Sequence, residues 1–433
     1  MYFYRQIKKS KIMQPTKRKF LKNIAQAAFL MPSATFLAKS MERFAEVSPQ
    51  ELAQKDEFWE TIRSAYRLKP DYINLENGYY SMQSQPVLES FIAHVREVNY
   101  QASYYMRTHQ IDDKILMRKK LSALLGCSHE ELAITRNTTE GVDIIISGKD
   151  WKAGDEAVMA VQDYGSLVNM FKQQEKRYGI VAKTVSIPNH PQSDEEIVTL
   201  YEKAITPKTR LLLVSHMVNI TGHILPIKKI CDMAHSHGVE VIVDGAHAFA
   251  HINFSINDLG CDYYASSLHK WLGCPLGEGL LYVKKEKIKH IWALLASFGF
   301  PDDDIRKLNH TGTHPVHSDL AIADAIAFHE QMGIAKKEAR LRYLQEYWTK
   351  QVRNVKGIII NTPAESHRAC GIANVGVSNL KPADLAKTLM NKYKIWTVAI
   401  DSENVQGVRV TPHVYTTTAE LDIFVKALKE IVT

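Results

Sequence analysis

The sequence predicts the α/β class: a large domain on a mostly parallel sheet covered by helices, followed by a smaller α+β domain at the C-terminus. Three observations carry that prediction. Strand-like and helix-like stretches alternate from about residue 115 to about 285. Within them, one strand–helix–strand unit between 209 and 244 is legible residue by residue. Beyond about 350 the alternation gives way to short strands and a final capped helix.

Thr209-Arg-Leu-Leu-Leu-Val-Ser-His216 is an unbroken apolar run with polar residues at its carboxyl end. Pro226 opens a helix over IKKICDMAHSH, Gly238 is placed to end it, and Val239–Asp244 is a second apolar strand. Runs without alternation belong to strands buried on both faces. A right-handed connection sets His216 and Asp244 on the same sheet edge, where ligands of open α/β sheets bind. In the C-terminal part, Gly371–Val377, Ile395–Ile400 and Gly407–Thr411 read as strands and Pro382–Lys392 as a helix. A last helix starts at a capping box, Thr417-Thr-Ala-Glu420, with Leu421, Phe424, Val425, Leu428 and Ile431 along one face. The expected division is a leader over 1–40 and an N-terminal segment over 41–80 packing with the small domain. The large domain then covers 81–315 and the small domain 316–433.

Composition narrows the classes. With 433 residues, 45% hydrophobic and 23% charged, the chain is too apolar for disorder. Its five cysteines (127, 231, 261, 274, 370) form no disulfide framework and no CxxC zinc site. No apolar run approaches the roughly 18 residues that a membrane-spanning helix needs, so stable membrane insertion is not expected. The formal charge of +7 does not point to nucleic acid, because nine basic residues and no acidic ones fall within 1–40. Residues 41–433 carry 45 basic against 47 acidic side chains. In the leader a basic stretch precedes a weakly apolar segment, Ile24 to Ala38, with small residues at Ala38 and Ser40 as a cleavage site. Thr16-Lys-Arg-Lys-Phe-Leu-Lys22 resembles the twin-arginine export motif with Lys17 in the first arginine position. Export to the periplasm through that machinery is the expectation; a cytoplasmic protein with a basic tail is the alternative.

The chemistry concentrates in Val243-Asp-Gly-Ala-His-Ala248 and Ser266-Ser-Leu-His-Lys-Trp-Leu-Gly-Cys-Pro275. An acid at a strand end stands upstream of a lysine flanked by hydroxyls and a histidine. That set suits pyridoxal 5′-phosphate: a lysine forms a Schiff base with its aldehyde, and a carboxylate keeps its ring nitrogen protonated. Hydroxyls and a helix N-terminus would take the phosphate.

Several ordered blocks strengthen this reading: Ile134-Thr-Arg-Asn-Thr-Thr-Glu-Gly141, Ser215-His-Met-Val-Asn-Ile-Thr-Gly222, Asp244-Gly-Ala-His247, Ser267-Leu-His-Lys270 and Val408-Arg-Val-Thr-Pro-His413. From about residue 72 onward they make the chain resemble the class V, fold-type I pyridoxal phosphate enzymes. The isopenicillin N epimerase-like branch is nearest and cysteine desulfurases are more distant. The resemblance implies a seven-stranded-type sheet, Lys270 as the Schiff-base lysine and proton shuttle, and Asp244 at the pyridine nitrogen. It places His247 and Asn219 near the phenolic oxygen, and Thr138, Thr139, Ser267 and His269 at the phosphate. Tyr164 would stack on the ring, while Arg409 with Asn77 would bind substrate, Arg409 clamping its carboxylate. Gly312 and Thr313 resemble the loop that reaches a neighbouring subunit's phosphate, which implies a homodimer with shared active sites.

Each position has a plainer reading too. Asn219 suits an ordinary turn, Tyr164 a core aromatic, and Thr138 and Thr139 a helix cap. His247 and His251 stand four apart as metal ligands can, yet no HExxH pattern or third ligand accompanies them, so no metal is expected. The reaction type stays open between transamination and epimerisation at the α-carbon of an amino acid or a derivative of one. A C–S or other β-lyase and a non-catalytic cofactor-binding relative are the alternatives. Desulfuration is disfavoured, because Ile400-Asp-Ser-Glu-Asn-Val-Gln406 lacks the persulfide-forming cysteine that those relatives carry there.

Overall fold

The computed structural model describes residues 42–44, 46–296, 299–402 and 404–433; the leader expected over 1–40 lies outside them. After two short helices, Pro49–Leu52 and Asp56–Ser64, the elements that frame the site include, in chain order, β1 (Ile73–Asn74), α1 (Gln85–Gln101), α2 (Gln110–Leu125), β2 (Leu132–Thr135), α3 (Thr138–Gly148), β3 (Glu156–Ala160) and β4 (Val181–Val185). Next come β5 (Thr209–Ser215), β6 (Glu240–Asp244), β7 (Tyr263–Ser267) and β8 (Gly279–Val283). Strands β2 to β8 form one seven-stranded sheet in the order β2-β8-β7-β6-β5-β3-β4. β8 runs antiparallel to β7 and β2, and the pairs from β7 through β6, β5 and β3 to β4 are parallel. The class and architecture expected from the sequence are therefore the ones found.

The unbroken apolar runs are explained by burial on both faces. Leu212, Val214, Val241 and Val243 pack into one hydrophobic cluster, and their neighbours Leu211, Leu213 and Ile242 into the cluster on the opposite face. At roughly 1.5–3 kcal/mol for each fully buried Leu, Ile or Val, these central strands supply much of the driving force. The edge strand β4, by contrast, is partly or fully exposed along its whole length. Between β5 and β6 the helix Ile227–Ser236 ends where Gly238 adopts φ +71°, and the register pairs Ser215 with Asp244. Both strand ends thus share one edge of the sheet.

The remainder comprises α4 (Val316–Met332), α5 (Ile334–Val352), β9 (Ile358–Ile360), β10 (Ala373–Val377), β11 (Ile395–Trp396), β12 (Val398–Ser402), β13 (Val405–Val410) and α6 (Thr418–Val432), with a helix Pro382–Tyr393 after β10. Strands β12-β13-β10-β9 form an antiparallel sheet whose core joins Trp348 of α5 to Phe424 and Leu428 of α6. The capping box at Thr417 and Glu420 is formed in both directions. Two details differ from the sequence expectation. Helix α4, although it follows residue 315, packs on α1 and α2 rather than on the small sheet. The strand expected over Ile395–Ile400 is broken at Thr397, because β11 leaves the sheet to pair in parallel with β1. That pairing draws the segment around residues 73–78 across the small domain, where Glu76 bridges to Thr411.

Candidate active site

A cavity of about 270 Å³ opens at the carboxyl ends of β5, β6 and β7 and at the N-terminus of α3. Gly78, Tyr79 and Arg409 line its other side, contributed by the N-terminal segment and β13. Ten of the positions expected from the sequence line it: Thr138, Thr139, Tyr164, Asn219, Asp244, His247, Ser267, His269, Lys270 and Arg409.

Lys270 stands on the turn that leaves β7, with its Nζ 3.1 Å from His247 Nε2. Burial pushes its amine down to about 8, since an ammonium loses hydration there; the nearby Asp244 carboxylate opposes that shift. Asp244 ends β6 and is itself buried, which raises its carboxyl above the ordinary range against the counter-pull of Lys270 and the Ala246 N–H, 2.9 Å from Oδ1. A buried acid with one backbone donor calls for a cation, and a pyridinium N–H satisfies that demand.

Helix α3 begins after Asn137, whose side chain caps it at Glu140 N–H. The Thr138 N–H donates to Ser267 Oγ at 2.9 Å, and the two hydroxyl oxygens lie 2.8 Å apart. Gly279 is required beside them: a Cβ there would lie 2.7 Å from Asn137 Cα and N. His269 lines the cavity beside them, and burial lowers its ring to about 4, so it stays neutral at pH 7. Backbone N–H, hydroxyls and a helix N-terminus form a donor set suited to a phosphate. Together with the aldehyde-reactive lysine and the acid, they fit pyridoxal phosphate.

Arg409 projects from β13 with all three guanidinium nitrogens engaged. Nε lies 3.2 Å from Glu76 Oε2, Nη2 lies 2.6 Å from Glu76 Oε1, and Nη1 lies 3.2 Å from the Asn219 carbonyl. Both side chains of this pair are almost fully buried, and the Tyr79 N–H also donates to Glu76. Breaking such a pair by removing one partner costs about 3–5 kcal/mol, so Glu76 holds the orientation of Arg409 firmly. Gly78 leaves room for it, since a Cβ would lie 3.1 Å from the guanidinium carbon.

Three expected positions lie outside the cavity lining. Asn77 does not line the cavity: its Oδ1 accepts from Tyr415 Oη at 2.6 Å and its Nδ2 donates to the Thr411 carbonyl at 2.8 Å. Its polar groups are consumed in holding the segment to β13. Gly312 and Thr313 are exposed, and Gly312 lines a separate cavity of about 250 Å³ with Lys114 and His310. Glu76, Tyr79, Arg136 and Leu276 were missed by sequence reasoning. For Glu76 the only signal was an acid inside the otherwise uncharged run Ile73-Asn-Leu-Glu-Asn-Gly78. Among the described residues no cluster of His, Cys, Asp and Glu is arranged to hold a metal.

Comparison with known proteins gives consistent relatives. Residues 80–424 match the family model described as Aminotransferase class-V. Isopenicillin N epimerase of Amycolatopsis lactamdurans is 28% identical over 397 residues, covering 86% of this chain and 98% of that protein. A probable cysteine desulfurase of Halalkalibacterium halodurans is 26% identical over 333 residues, covering 73% and 80%. Among solved structures, a mutant of C-DES with glycine covalently linked to the PLP cofactor superposes with a TM-score of 0.76 at 20% identity, covering 85% of this chain and 99% of that one. That likeness establishes the fold.

Proposed function

The chain belongs to the class V aminotransferase family, with pyridoxal phosphate as cofactor, and from that premise we propose that it acts at the α-carbon of an amino acid or amino-acid-derived substrate, as an aminotransferase or an epimerase. The observation that carries this reading is the meeting of Lys270 and Asp244 in one cavity, the amine lowered to about 8 beside a buried acid. Bound there, the cofactor is the electron sink that allows a bond at the α-carbon to break.

The protein's own groups do the rest. With the cofactor bound, Lys270 would hold it through Nζ and would carry a proton to and from the α-carbon. Asp244 would pair with the ring nitrogen, His247 would hydrogen-bond the phenolic oxygen, and the start of α3 with Ser267 would hold the phosphate. Arg409, oriented by Glu76, would set the substrate carboxylate and with it which bond at the α-carbon breaks. Epimerisation is supported by the similarity to isopenicillin N epimerase. A second reading, cleavage of a C–S bond in the substrate side chain, is supported by the similarity to a probable cysteine desulfurase. Persulfide formation is not part of it: no cysteine lines the cavity, and the buried Cys370 thiol is pushed up to about 12.

The test is a panel of amino acids and oxo acids incubated with the purified protein in deuterium oxide. Deuterium at the α-carbon without oxo acid marks epimerisation, and amino-group exchange marks transamination. A protein that takes up no borohydride-reducible pyridoxal phosphate overturns the whole reading. Arg409→Lys is expected to raise KM and lower kcat for amino acids, together about 100-fold in kcat/KM, while simple amines are much less affected. Equal losses for both would make Arg409 purely structural.

The proposal extends to assembly and location. The exposed loop carrying Gly312 and Thr313 supports a homodimer in which it reaches the partner's phosphate site. Nine basic and no acidic residues in 1–40 support export, which N-terminal sequencing of the mature protein from fractionated cells tests.

A further inference from the structure

The residue after Lys270 is a tryptophan held on several sides. Trp271 is almost fully buried, and its ring stacks on His251 with centroids 3.6 Å apart at an interplanar angle of 25°. His413 lies nearly parallel to it, 5.6 Å away. The backbone is pinned as well, because the buried Lys337 Nζ–H donates to the Trp271 carbonyl. His251 is itself fixed by partners that each act one way. Its Nδ1–H donates to the His247 carbonyl at 2.7 Å, and its Nε2 accepts from the Gly371 N–H at 2.9 Å. The indole therefore rests on an immobile platform.

From that platform the Trp271 Nε1–H points at His247 Nδ1, 3.3 Å away. An indole nitrogen only donates, so Nδ1 must present its lone pair. A neutral imidazole then carries its proton on Nε2, the atom 3.1 Å from Lys270 Nζ. With Nε2–H as donor, its partner must be an acceptor, and an amine accepts only when it is neutral.

We propose that Trp271 is a positioning residue that fixes the Nε2–H tautomer of His247, and that this tautomer biases Lys270 toward the neutral amine, the form that attacks the cofactor aldehyde. The aldehyde part rests on the function proposed above; the tautomer part does not. Burial agrees with the assignment, keeping His247 far below its ordinary range and so uncharged. The charged and titratable groups around the pair are Asp244, Glu76 and Arg409 on the Lys270 side, with Arg409, His251 and His269 on the His247 side. Of these, only Asp244 and Glu76 favour an ammonium at Lys270. The Nε2–H donor counters them. Once cofactor is attached, the same N–H is available to a phenolic oxygen rather than to the amine.

The test uses the full chain without added cofactor, labelled with 15N in histidine, with the His247 signals identified by their loss in His247→Gln. Long-range 1H–15N spectra are expected to show an unprotonated Nδ1 and a protonated Nε2 at neutral pH. Trp271→Phe keeps a ring on His251 but removes the N–H, and should allow Nδ1 to take the proton in a measurable share of molecules. In the same variant, the pH midpoint for acylation of Lys270 by trinitrobenzenesulfonate should rise by about one unit, the size of one ordinary hydrogen bond. A proton on Nδ1 in the unsubstituted protein overturns the proposal, as does an unchanged tautomer and midpoint in Trp271→Phe. Should that variant not fold, the unsubstituted spectrum alone decides. Failure to take up pyridoxal phosphate would sink the proposed function while leaving both readouts defined.

Discussion

Lys270→Ala is expected to abolish covalent attachment of pyridoxal phosphate and to lower turnover by at least ~1,000-fold, with little change in stability. The rate loss combines removal of the nucleophile with removal of the proton carrier, each a large factor alone. Stability should hold for a physical reason. The Lys270 side chain makes a single polar contact, to His247 Nε2, and burial disfavours its charged form. Removing it leaves space beside the cavity rather than a broken core. Borohydride reduction followed by peptide mass spectrometry reads the attachment, and thermal unfolding reads the fold. A borohydride-reducible chromophore remaining in the variant would show that another lysine carries the attachment.

Asp244→Asn should retain the cofactor and lose about 100- to 1,000-fold in rate. Asparagine keeps an oxygen for the Ala246 N–H, so the turn after β6 is preserved. It removes the negative charge that stabilises a protonated ring nitrogen, and a charge aimed at developing transition-state charge in a buried site is worth factors of that order. The protein without cofactor should be at least as stable as the unsubstituted one, because burial penalises the Asp244 carboxylate and does not penalise an amide in the same way. Rates near those of the unsubstituted enzyme would remove Asp244 from the mechanism.

The two substitutions probe groups that could be found without coordinates. Asp244 ends an apolar run at the sheet edge where ligands bind, and Lys270 follows the next strand within a cluster of hydroxyls and histidine. The start of helix α3 was legible in Thr138 and Thr139, which suit a helix cap, although the capping side chain is that of the preceding Asn137. These are local signals, in which the residues that define the feature are neighbours in the chain.

The signals failed wherever the partner was distant. The resemblance sets Asn77 with Arg409 at the substrate, but the Asn77 side chain is turned to Thr411 and Tyr415 in a segment held by the pairing of β1 with β11. The break at Thr397 has the same origin: an apolar stretch reads as one strand, and only the arrival of Ile73 and Asn74 divides it between two sheets.

The amino-acid sequence by itself determined the class of the fold, the edge of the sheet that carries the cavity, and the lysine and acid that line it. It could do so because burial on both faces, strand ends and helix starts are written in short runs of residues. Tertiary structure alone decided that Glu76 holds Arg409 across 333 residues, that Trp271 donates to His247, and that Asn77 faces inward. Those are single contacts between side chains whose directions follow from strand register and helix packing, and neither residue type nor spacing encodes where two such directions meet.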